Sequence, residues 1–170
     1  MKYLWVALLL PALCFAAADS SSFEVGGFTF KRPAKWESVQ PASTMRKAQL
    51  RVPGPKQSES ADVIFFHFGP GDGGGTQANI DRWFMQFKDA KDKKSTGTKV
   101  GKHKVIYVST HGTYSGGMPG QPAAALPDYA LLGAIIEKET GNVFIKMTGP
   151  AEVVKSADGE FRQMVEGAMK

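Results

Sequence analysis

Between Lys47 and Val52 the chain alternates, with Ala48, Leu50 and Val52 apolar and Lys47, Gln49 and Arg51 polar. A period of two with one apolar side predicts a strand of an antiparallel sheet, buried on one face and wet on the other. Val63 to Phe68 is apolar on both sides and predicts a central strand covered on both faces. Shorter strand patterns stand at Phe28–Lys31 and around Trp36, separated by a turn at Pro33. Further on, "HKVIYVSTHGTY" predicts a strand, and "YALLGAIIEK" and "NVFIKMT" flank the turn "ETG" as a hairpin.

The period changes twice. Ile80, Trp83, Phe84 and Phe87 fall at i, i+3, i+4 and i+7, the stripe of an amphipathic helix that Thr76 is placed to cap. A second stripe, Val154, Ala157, Phe161, Met164, Val165 and Ala168, follows Pro150, which suits the first turn of a closing helix. Two segments carry neither period. Lys88 to Lys104 reads as a lysine-rich loop, and Gly112 to Asp128 as a long loop whose glycines and prolines exclude regular structure. The predicted order is four strands, a helix, three strands and a helix. The fold class is therefore α/β of the α+β kind: a mainly antiparallel sheet of about six or seven strands covered by two helices.

This order resembles the PsbP-like α-β-α sandwich, through the strand–Pro–Trp pattern "FTFKRPAKW" and the closing strand and helix around "FIKMTGP". A second resemblance rests on "FGPGDGG" before "NIDRWFMQF", then "GTYSGGM", "GAI" and "TGP". In these the chain is similar to a set of uncharacterised exported bacterial proteins, which implies an exported protein and supplies no activity.

The first residues agree with export. Lys2 precedes an apolar run, Leu4 to Leu13, and Ala16 and Ala18 place small residues before a cut at Asp19. That is the pattern of a signal peptide over residues 1–18, leaving one domain over 19–170. The run is shorter than the roughly 20 apolar residues of a membrane span, so no span is expected. The sole cysteine, Cys14, lies inside the leader, where the alternative to removal is a lipid anchor. A mature chain starting at Asp19 has no thiol, which excludes disulfides, thiolate metal sites and cysteine nucleophiles.

"GPGDGG", residues 69–74, satisfies G-x-G-x-x-G in letters. A dinucleotide site requires that loop to open a βαβ unit, with an acidic residue at the end of the second parallel strand. Asp89 and Asp92 stand before any second strand begins, so the loop is expected to connect a strand to a helix and no cofactor is predicted. "GTYSGG" places Ser115 one position out of register for a nucleophile elbow, and no histidine pair has metal-ligand spacing.

Charge adds a last feature. Seven lysines stand between Lys88 and Lys104, with Asp89 and Asp92 among them. Lys91, Lys93 and Lys94 are candidates for contact with a polyanion. Nucleic acid is excluded as that partner, because arginines and exposed aromatics are not interleaved. The expected function is that of an exported, monomeric, non-enzymatic domain binding a protein or small ligand of the envelope, with an anionic partner an option. The candidate surface combines Asp72, Asn79 and Arg82, taken as loop and exposed helix face, with His111, Tyr114 and Tyr129 around the long loop. Two alternatives are a periplasmic hydrolase using His111 or His67, and a structural envelope component held by its basic loop.

Overall fold

A computed structural model describes residues 21–56, 59–116 and 124–170. The expected signal peptide over residues 1–18, with Cys14, and the centre of the long loop, 117–123, lie outside the described residues. The elements are β1 (Ser22–Val25), β2 (Phe28–Lys31), β3 (Glu37–Val39), β4 (Arg46–Pro53), β5 (Ser60–His67), α1 (Thr76–Met85), β6 (Lys91–Val100), β7 (His103–Tyr114), β8 (Leu126–Glu137), β9 (Val143–Pro150) and α2 (Ala151–Gly167). β3 to β9 form a seven-stranded sheet in the order β3-β4-β5-β9-β8-β7-β6, and β1 and β2 form a separate hairpin. Each pair in the large sheet is antiparallel. No helix among the described residues is long and apolar enough to cross a membrane.

Strand alternation assigns the two faces. Val63 and Phe65 of β5, Ala134 and Ile136 of β8, and Val143, Ile145 and Met147 of β9 point into the larger core. There they meet the apolar stripe of α2 and the phenylalanines of the β1–β2 hairpin. The opposite face carries Ile106, Val108, Leu131, Ile135 and Phe144, covered by Ile80, Trp83 and Phe87 at α1. The close seat of α1 depends on Gly133, because a Cβ there would run into the Trp83 ring. Each large side chain so buried contributes roughly 1.5–3 kcal/mol, so two helical stripes suffice to clamp the sheet from both sides.

Four expectations need correction. The lysine-rich segment is a strand, β6, ladder-bonded to β7 over most of its length. Ser22–Val25, outside all of the predicted strands, forms β1. The flanks of the long loop are paired, Gly112 with Tyr129 and Tyr114 with Leu126, so the loop begins later and ends earlier than its glycines and prolines implied. Thr76 does not cap α1. Gly75 is the N-cap, and the Thr76 hydroxyl donates to Glu137 Oε1 at 2.8 Å.

Candidate functional site

The predicted site residues divide into three places. At the start of α1, Asn79 is buried, contrary to its placement on an exposed face. Its Nδ2 donates to the carbonyls of Gly73 (2.9 Å), Gly74 (3.3 Å) and Gly75 (3.0 Å), and its Oδ1 accepts from Arg82. The inside of the turn is therefore lined with carbonyl oxygens, the opposite of a phosphate cradle, which needs N–H groups. The helix then leads to β6 at the far edge of the sheet, so no parallel βαβ unit forms. Asp72 lies beside this turn in a cleft of ≈ 280 Å³ with Lys138, Glu139 and Asn142.

Tyr114 and Tyr129 are at the other end of α1, about 15 Å away by helix length. Their rings stack on each other at 6.0 Å and 9°, and Tyr114 also meets Phe87. The backbone pins this end, with Ser115 N donating to Gln86 O at 2.8 Å and Lys88 N to Thr113 O at 2.9 Å.

His111 is on the opposite face. It shares a face of β7 with Tyr107 and Ser109, and lines a cleft of ≈ 470 Å³ with Asp92, Glu152, Lys155, Asp158 and Arg162. Its Nδ1 stands 3.7 Å from Asp92. The cleft's charges are of both signs, and Arg162 is committed to Asp158 (2.9 Å) and to the Tyr107 ring. Burial, first, and then the Glu166 carboxylate raise the Tyr107 pKa, keeping that hydroxyl a donor.

His67 and His111 sit on strands three positions apart, since β9 and β8 lie between β5 and β7. That spacing alone is about 14 Å. His67 faces Asn142 O, and Ser115 Oγ donates to Gln86 O. No nucleophile–base pair is assembled from them. Among the described residues, no three His, Cys, Asp or Glu side chains come together as a metal group.

A polar island unforeseen from the sequence lies beside the end of α1, on the face that α1 covers. At its centre is Lys146 of β9, 8% exposed in the middle of the sheet. Its ammonium donates to Gln86 Oε1 and to the Tyr114 hydroxyl (3.4 Å), and lies 5.3 Å from the Tyr114 ring centroid. Burial, and then the positive charge of Arg46, lower its pKa from 10.5 to about 8. Burial likewise raises the Tyr114 pKa. Alongside, Arg46 donates to Gln49 Oε1 at 2.9 Å, and Gln49 reaches Asp62 at 3.4 Å. The available signal was one lysine inside "NVFIKMT", polar in a strand otherwise apolar on both sides.

This architecture is that of the PsbP-like α-β-α sandwich. The chain is similar in structure to cyanobacterial PsbP (CyanoP) from Synechocystis sp. PCC 6803, known from a solution structure. The TM-score is 0.53 at 12% identity, covering 88% of this chain and 92% of that one. No family model and no curated protein matches the sequence.

Proposed function

We propose that this chain is an exported, non-enzymatic binding domain of the cell envelope, which docks on an acidic partner through the β6–β7 hairpin. The observation that carries the reading is the exposure of β6. All of its residues up to Lys99 are exposed on both faces, and Val100 is half-buried. The ladder to β7 is thus its main support, with almost no apolar burial to hold it. On it stand Lys91, Lys93, Lys94 and Lys99, with Lys102 in the turn and Lys104 on β7. Lys104 pairs with Glu137 at 2.9 Å and Lys93 lies 5.9 Å from the Phe84 ring centroid, so most of this charge is not spent internally. Lysines on an edge strand deter pairing with other sheets. Held on the β7 ladder they also form an exposed basic edge, which steers an acidic surface toward it.

The reading departs from a surface made of Asp72, Asn79, Arg82, His111, Tyr114 and Tyr129, because those residues occupy three places. The test uses the full chain with Lys91, Lys93, Lys94 and Lys99 changed to serine. Wild-type protein should bind immobilised polyglutamate at low salt and elute as salt shortens the Debye length to below about 10 Å. The variant should pass through unretained while melting as the parent does. Equal retention of both proteins would remove the hairpin as the docking surface.

A further inference from the structure

Lys146 is a buried cation with neutral partners. Gln86 and Tyr114 offer it a carbonyl and a hydroxyl oxygen, and the charge that acts on its ammonium is the like charge of Arg46. Burying an ammonium without a carboxylate costs several kcal/mol, so an uncompensated lysine in a central strand calls for an explanation. Asp62 does not supply one, since it is exposed and meets Gln49 instead.

A second observation points the same way. Thr148, two residues along β9 and on the same face as Lys146, has a buried Oγ1 to which nothing among the described residues hydrogen-bonds. A buried hydroxyl left so has given up its water without a partner in exchange. The ammonium, the Thr148 hydroxyl, the Tyr114 hydroxyl and the Arg46 guanidinium are all donors gathered on one side of the sheet. One carboxylate, Asp62, borders them as the cross-strand partner of Thr148, but it is exposed and meets Gln49, and it leaves the two cations one negative charge short. Next to them on β5, Ile64 pairs in register with Lys146 of β9, and Phe66 with Arg46 of β4. Both are only half-buried and form an apolar shelf beside the polar island.

We propose that the Lys146 island is a binding site for the carboxylate of a small organic acid, held by Lys146, Thr148, Tyr114 and Arg46, with the acid's apolar body on Ile64 and Phe66. The charge balance selects a carboxylate over a phosphate. Two cations, Lys146 and Arg46, stand with one carboxylate, Asp62, leaving room for a single negative charge. The site is separate from the β6–β7 hairpin and does not rest on it.

The experiment is calorimetric titration of the folded full chain with sodium benzoate and sodium hexanoate at constant ionic strength, with inorganic phosphate in parallel. Both carboxylates should bind saturably. Lys146→Met should weaken them about tenfold or more, the effect of one lost charge-assisted hydrogen bond. Thr148→Val should weaken them severalfold. As a check that needs no variant, the Lys146 Cε resonance should move on adding hexanoate. Preference for phosphate, absence of saturable binding, binding unchanged in both variants, or an unmoved Lys146 resonance would each overturn the assignment.

Discussion

Replacing Lys146 by methionine keeps the length of the side chain and removes its charge, and the structure sets the size of the effect. Burial and Arg46 lower the amine from 10.5 to about 8. A displacement of that size corresponds to about 3 kcal/mol of folding free energy at pH 7. The sign follows from proton uptake. Between about pH 8 and 10.5 the unfolded chain binds the proton more readily than the folded one, so stability rises with pH there. Below the folded value the penalty is present in full, and above the unfolded value it is gone. At pH 7 the variant therefore sheds about 3 kcal/mol of penalty. It also loses the bonds to Gln86 and Tyr114, about 1 kcal/mol each. It should be the more stable protein by about 1 kcal/mol. Between pH 8 and 10 that advantage should shrink by about 2 kcal/mol and change sign. Urea denaturation of both proteins at unit pH steps is the assay, with the difference between the curves cancelling the other titrating groups. Staying at or below pH 10 also avoids Tyr107 and Tyr114, whose raised pKa values would cost stability at higher pH. Two curves that run parallel from pH 7 to 10 would refute the reasoning, because a lysine with an ordinary pKa has no such difference to show.

Two other substitutions test how α1 is held. Gly133→Ala should destabilise the fold by about 1–3 kcal/mol and alter tryptophan fluorescence, since the added methyl displaces Trp83. Asn79→Ala should cost about 2 kcal/mol by urea denaturation and speed amide exchange at Gly73 to Gly75, whose carbonyls lose their shared donor. In contrast, the four serine substitutions on β6 should change stability by less than about 0.5 kcal/mol, because the side chains are exposed and only Lys93, over the Phe84 ring, has an apolar contact to lose.

The sequence was legible where burial enforced a period. The α2 stripe, the α1 stripe and the β8–β9 hairpin each had to place apolar side chains toward a partner, and each could be read from spacing. β6 was not legible for the converse reason: "KDKKSTGTKV" buries almost nothing, so no alternation marks it, and its extended form comes from the β7 ladder. Thr76 had the right chemistry for a cap, but Glu137 offered its hydroxyl a carboxylate and Asn79 took over the turn. His111 and Tyr114 were grouped by nearness in the chain, although three residues along a strand places them on opposite faces. Lys146 was visible in its apolar run. Its partners were not, since Arg46, Gln86 and Tyr114 come to it from three other elements.

The strand order has a consequence for how the chain comes together. β3 to β5 form one run of neighbouring hairpins and β6 to β9 another, and the two runs meet only where β5 pairs with β9. That seam joins Asp62–His67 to Val143–Thr148, residues about 80 apart in the chain, whereas the other ladders of the sheet link successive strands. Closing a loop of that length carries an entropic cost that grows only slowly with size, yet it must be met before any seam contact is made. The sheet is thus two local ribbons joined by one non-local seam, and substitutions along that seam are expected to slow refolding, read by stopped flow, more than those within either ribbon. Lys146 stands on that line, so a group that neutralises it acts where the two ribbons meet.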